Sequence, residues 1–186
     1  MAVQLLKRRF TVEDYHRMGQ GGIFAEDDRV ELIDGEIIVM TPIGSPHAGT
    51  TAYLEHFLSL GFGERALVRA HSPVILLPHS EVHPDLAVLR PRSDYYRRAH
   101  PRPEEIFFLI EVSDTTGEYD RTIKLPLYAR AGIQEVWIVD LGAESIEVYQ
   151  GPGTNGYERM QRFGRGQTFA SPAFPDVHLS VDAILG

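Results

Sequence analysis

Ile106-Phe107-Phe108-Leu109-Ile110-Glu111-Val112-Ser113 is the stretch on which the reading of this chain turns. Its first five residues are apolar, four of them β-branched or aromatic, and no polar position interrupts them. A half-exposed strand would alternate, so a run this continuous reads as a central strand covered on both faces. Glu111 closes it, and a carboxylate at the end of a covered strand needs a partner, a metal or open solvent.

Downstream, a helix is expected from near Glu118 to Ala131, stopped by Gly132, followed by a second apolar strand from Gln134 to Asp140. Strand, helix and strand form a βαβ unit, expected to be right-handed with its two strands parallel. Pro126 falls inside the helix and predicts a kink or two helical pieces. Ligands in open sheets gather at strand ends beside such crossovers. That brings Glu111, the loop Ser113-Asp114-Thr115-Thr116 and the start of the Lys124 helix into one neighbourhood. Upstream, Asp85 to Leu89 is another apolar strand, and Asp85 joins the group if this strand lies beside that of Glu111. Asp114 and Asp120 read as caps for the loop and helix.

The rest of the chain continues the α/β order. Thr11-Val12-Glu13-Asp14 resembles a capping box opening a short helix that stops at Gly19. Arg29 to Ile33 and Glu36 to Met40 are strands joined by Asp34-Gly35, a strong hairpin signal. Ser45 as N-cap with Pro46 at the first helical position opens a helix running to about Leu60 and ending at Gly61, with His47 in its first turn. Strands are expected at Leu67 to Arg69 and Val74 to Leu77, an outer hairpin at Ser145 to Gln150 and Tyr157 to Phe163, and a closing segment at Val177 to Leu185. The expected architecture is one α/β domain over residues 1–186: a mixed central sheet flanked by helices, with an N-terminal helix and β-hairpin.

Asp85, Glu111 and Lys124 are a minimal kit for metal-assisted phosphodiester cleavage. Carboxylate oxygens suit a hard Mg²⁺ ion, which polarises a phosphate and acidifies a bound water, while a lysine orients that water. Only Lys7 and Lys124 of the eighteen basic residues are lysine, so position 124 keeps an ammonium in a chain that otherwise writes its positive charge as arginine.

Pro84-Asp85, Ile110-Glu111-Val112-Ser113 and Lys124 resemble the motif of the PD-(D/E)XK restriction-endonuclease-like superfamily. Ser113 stands where the motif lysine belongs, and Lys124 would be its migrated replacement. Glu31 through Glu36, Ser45-Pro46-His47, His83-Pro84-Asp85, Glu111-Val112-Ser113 and Tyr128 through Trp137 together look like the Uma-two-like family of endonucleases, over roughly Thr11 to Leu185. The resemblance implies a restriction-endonuclease-like fold and a Mg²⁺- or Mn²⁺-dependent endodeoxyribonuclease. It implies Asp85 and Glu111 as metal ligands, Glu31 as a further metal-shell carboxylate, and His47 as a phosphate or water contact.

Net charge is -8, yet between Arg90 and Arg102 five arginines face one aspartate, with Tyr95, Tyr96 and His100 interleaved. Arginines among aromatics are the usual material for phosphate contacts and base stacking, so Arg97 and Arg98 are candidate DNA contacts; three flanking prolines allow a solvated linker instead. No cysteine is present, which excludes disulfides and thiolate zinc sites. The N-terminus has the wrong charge order for a signal peptide and no run approaches a membrane span, so the expectation is a cytoplasmic protein. Gly151-Pro152-Gly153-Thr154-Asn155-Gly156 matches GxGxxG but joins two strand-like runs, so it reads as a hairpin loop. Two other functions stay open: a catalytically silent nucleic-acid-binding or homo-oligomeric module, and a metal-dependent phosphoesterase for a small substrate.

Overall fold

The computed structural model describes residues 7–76 and 78–186; what was expected of residues 1–6 and Leu77 lies outside them. The first half of the chain forms α1 (Val12–Gln20), β1 (Val30–Ile33), β2 (Glu36–Val39), α2 (Ser45–Phe62), β3 (Leu67–Ala70), β4 (Val74–Ile75), β5 (Glu81–Val82) and β6 (Leu86–Leu89). The second forms β7 (Ile106–Ser113), α3 (Gly117–Tyr119), α4 (Leu125–Arg130), β8 (Glu135–Asp140), β9 (Ser145–Gly153), β10 (Gly156–Gly164), β11 (Thr168–Phe169), β12 (Leu179–Ser180) and α5 (Val181–Leu185). No helix among the described residues is long and apolar enough to cross a membrane.

Six strands form the central sheet in the order β10-β9-β8-β7-β6-β3. It is mixed: β7 and β8 run parallel, Glu111 opposite Ile138, as a crossover demands, while β6 and β7 run antiparallel, Leu86 opposite Ile110. β7 therefore lies inside the sheet, and each face of it is covered. Phe108, Ile110 and Val112 pack into the cluster that contains Leu54, Leu58 and Phe62 of α2. Leu109 packs on the other face with Leu127 and Tyr128 of α4. Strand side chains alternate, so Glu111 shares the face of Leu109 and points toward the crossover helix.

That helix is broken as Pro126 predicts. Between α3 and α4 the segment Asp120–Lys124 is a π turn. Proline lacks the N–H that the turn before it would bind and its ring crowds that turn, so the backbone widens there. Gly132, at φ +80°, ends the helix. Asp120 and Lys124, one at each end of the π turn, are both buried.

A second sheet, ordered β2-β1-β5-β4, carries the expected hairpin at its edge. Asp34 and Gly35 both have positive φ, at 47° and 81°, as the two central residues of a tight primed turn require. Gly35 is also crowded: a Cβ there would lie 2.6 Å from the Cβ of Arg9 and 2.8 Å from its Cα. Gly35→Ala is expected to destabilise the protein by about 2 kcal/mol or more through left-handed strain and backbone overlap together, read as a lowered urea midpoint.

Two expectations need correcting. Ser45 does not cap α2: Gly44 does, without a side-chain bond, and Ser45 is the first helical residue. Nor does Gly61 stop the helix, which runs on to Phe62; a Cβ at Gly61 would come 2.9 Å from Val177 Cγ1, so glycine is there for close packing. The short strand β5 was not foreseen, because Glu81 makes it look like loop. Glu81 is buried and meets His16 Nε2 at 2.6 Å. The capping box of α1 is present as read, with Thr11 and Asp14 bonded reciprocally.

Candidate active site

Asp85 stands directly before β6, and the antiparallel pairing of Leu86 with Ile110 sets it across from the Glu111 end of β7. The Val112 amide donates to Asp85 Oδ2 at 2.7 Å, fixing the carboxylate against the neighbouring strand. His47, in the first turn of α2, brings Nε2 to the same oxygen at 3.0 Å. That hydrogen bond raises the His47 pKa above its ordinary value, against the opposing effect of burial. His71 approaches the other oxygen, with Nδ1 3.6 Å from Oδ1. It follows β3 in the left-handed region at φ 47°, donates its amide to the Asp85 carbonyl at 3.0 Å, and stacks its ring on that of His47.

Glu111 is 2% exposed. Lys124 Nζ lies 3.3 and 3.2 Å from its two carboxylate oxygens, and the Tyr128 hydroxyl donates to Oε1. Burial pushes the Glu111 carboxyl well above the usual carboxylate range. Burial also opposes the Lys124 ammonium, but Glu111, Glu31, Asp120 and Asp85 outweigh it, and the net shift is upward. Lys124 therefore remains a cation.

Two further carboxylates complete the cluster. Glu31 on β1 accepts the His83 amide at 3.1 Å and the Tyr119 hydroxyl at 3.4 Å. Asp120 accepts the hydroxyls of Ser113 at 2.6 Å and Thr116 at 2.8 Å, closing the loop after β7 onto the π turn. Burial raises its pKa. Ser113, at the position where the motif would have lysine, is thus a tie for this loop.

Glu31, His47, His71, Asp85, Glu111, Asp120 and Lys124 line one cavity of about 650 Å³, with Tyr128 and Ser113 behind its wall. Glu31, Asp85, Glu111 and Asp120 face it with Lys124 as the buried cation among them. Among the described residues no three His, Asp or Glu side chains already converge to hold a metal. The donor chemistry nevertheless fits a hard divalent ion: the carboxylates outnumber the buried ammonium, and all present oxygen. Asp85 and Glu111 are the residues that would hold it.

Five residues singled out from sequence, Glu31, His47, Asp85, Glu111 and Lys124, therefore share this cavity. Arg97 and Arg98 do not. They lie in the β6–β7 connection, and β6 leads away from Asp85, so an antiparallel turn at its far end carries the arginines to the opposite end of the strand pair. The segment also folds on itself. Arg92 pairs with Asp94 at 2.6 Å and Glu105 at 2.9 Å and stacks over Tyr96, which is buried and donates to the Arg90 carbonyl. Arg90 stacks over Phe107. Arg97 and Arg98 remain exposed. Changing both to Ser is expected to alter single-turnover cleavage of a short oligonucleotide by no more than about twofold.

Sequence reasoning did not single out His71, Tyr119 or Tyr128 individually as site residues. Tyr128 had a usable signal: it stands four residues after Lys124, one helical turn along the same face. His71 had none, because its approach depends on a left-handed backbone at the end of β3.

A family model described as "Putative restriction endonuclease" (Uma2) matches residues 12–182. A crystal structure of "a putative nuclease belonging to DUF820" from Anabaena variabilis superposes with a TM-score of 0.72 at 15% sequence identity, covering 95% of this chain and 97% of that one. No curated protein matches the chain.

Proposed function

The chain belongs to the Uma2 family, and from that premise we propose that it is a Mg²⁺- or Mn²⁺-dependent endodeoxyribonuclease acting on DNA in the cytoplasm, with Asp85, Glu111 and Lys124 as its catalytic residues. The observation that carries this reading is the buried Lys124 ammonium on both oxygens of Glu111, with Asp85 fixed across the strand pair by the Val112 amide. A divalent ion, when bound, supplies polarisation of the scissile phosphate and acidification of a water.

The chain's own groups do the rest. Asp85 and Glu111 would hold the cation, and Glu31 adds negative charge beside them. Lys124 orients the attacking water and balances charge as it develops on the phosphate oxygens. Tyr128 holds the Glu111 carboxylate, and His47 holds that of Asp85. The buried His47 Nδ1 has no partner among the described residues, which leaves it to meet a phosphate oxygen or a water.

The test is incubation with supercoiled, linear and single-stranded DNA in Mg²⁺ or Mn²⁺, with and without chelator. Cutting that requires the metal and stops with chelator is expected. A second reading, a phosphoesterase for a small substrate, draws on the acidic cavity of small-ligand size; hydrolysis of bis-(p-nitrophenyl) phosphate with every DNA form left intact would favour it. Absence of any cleavage in either metal would overturn both.

A further inference from the structure

The cavity has two chemically different walls. One is the acidic cluster around Lys124. The other comes from the β1–β2 hairpin, where Glu31 pairs with Ile38 and the Met40 amide donates to the Arg29 carbonyl at 2.8 Å. Residues directly opposite on antiparallel strands send their side chains to the same face. Arg29, Glu31, Ile38 and Met40 therefore share one face, and all four line the cavity. Ile43, on the way to α2, continues that lining toward His47. An apolar strip of Ile38, Met40 and Ile43 thus runs beside the groups proposed to cut a phosphodiester.

A DNA duplex has little to offer such a strip. Its outer surface is phosphate and sugar, and its flat apolar base faces are stacked inside. Duplex binding also rests on many lysine and arginine contacts to phosphates. Here the arginine and lysine lining is Arg29 and Lys124, and Lys124 is already engaged by Glu111. Depth points the same way. Glu111 is 2% exposed in a cavity of about 650 Å³, the scale of a pocket for one small ligand and not of a groove along a helix. An unpaired nucleotide fits each feature: its phosphodiester reaches the carboxylates, and its base, with no neighbour to stack on, lies against the apolar strip.

We propose that the cavity takes an unpaired nucleotide, base against Ile38, Met40 and Ile43, and that the substrate class is single-stranded or locally unpaired DNA. This rests on the nuclease reading, so two measurements separate their failures. The first is single-turnover cleavage in Mn²⁺ of one labelled sequence offered as a single strand, as a perfect duplex and as a duplex with a central bulge. The single strand and the bulge are expected to be cut at least about tenfold faster than the perfect duplex. The second is binding of a single strand carrying 2-aminopurine, in Ca²⁺, with the strand verified intact afterwards. Its fluorescence should change with the native protein and stay flat with Met40→Ser/Ile43→Ser. Neither residue belongs to a core cluster, and an unchanged thermal midpoint would verify the variant's fold. Equal cutting of duplex and single strand would overturn the proposal and leave the nuclease reading standing. A fluorescence change that survives the double substitution would overturn the strip as the base site. An intact fluorescence response with no cutting of any DNA would overturn the nuclease reading and with it the substrate assignment, leaving the strip as a base-binding site.

Discussion

Asp85→Asn is expected to abolish metal-dependent cleavage while leaving the thermal midpoint where it is. The carboxylate lies at the mouth of the strand pair, and its fixed contacts are the Val112 amide and His47. An asparagine carbonyl oxygen in the place of Oδ2 still accepts from the Val112 amide and from His47 Nε2–H, so the fold keeps both bonds. What disappears is one formal negative charge from the pair that would hold a divalent ion. Such an ion contributes several kcal/mol of transition-state stabilisation, so the loss in rate should be roughly 10²-fold to 10³-fold or more. Calorimetric titration with Mn²⁺ should show weakened binding in parallel. Glu111→Gln is a less clean test. It strips Lys124 of its contacting counter-charge, and breaking a buried pair in this way costs about 3–5 kcal/mol. Lost activity there would carry lost stability with it. Should Asp85→Asn bind Mn²⁺ with native affinity, this residue leaves the site.

What can be read in the chain is what has a local cause. The capping box at Thr11, the Asp34-Gly35 turn and the apolar run from Ile106 each announce themselves within a few residues, because the physics that forms them acts over that range. The nearness of Asp85 to Glu111 needed one step more, the pairing of their two apolar strands, which the sequence suggests without requiring. The placement of the arginine segment needed the topology: composition marks Arg97 and Arg98 as material for phosphate contacts, but the antiparallel return from β6 to β7 puts residues just after β6 far from Asp85 at its start. Packing and backbone strain supplied the remainder. His71 faces Asp85 through a left-handed backbone, and Lys124 and Asp120 turn inward together because a π turn precedes Pro126. Pro126 was readable as a break in the helix; the widened turn it produces, and the two side chains that turn buries, were not.

Lys124→Arg should fail to support cleavage although it preserves the charge. Nζ sits within 3.3 Å of both Glu111 oxygens, and the side chain is 9% exposed, so the site is closed around a compact ammonium. A guanidinium is longer and planar, and forcing it in costs about 1–3 kcal/mol of overpacking unless it swings out and leaves Glu111 behind. Either outcome removes the donor that would hold an attacking water at a defined point. Single-turnover cleavage at saturating Mn²⁺ reports that step separately from binding, and a fall of about 10²-fold or more is expected there. Lys124→Gln serves as the second variant: it still donates to Glu111 but lacks the charge, so it breaks the buried pair at a cost of about 3–5 kcal/mol, and lost cutting by the fraction that stays folded would separate chemistry from folding. A purely structural Lys124 predicts another pattern. Stability would then fall in both variants, because the buried carboxylates lose their compact counter-ion, while the cutting rate of the folded fraction would stay native. An arginine variant that cuts at the native rate would mean that Lys124 serves as counter-ion to Glu111 and that another group orients the water.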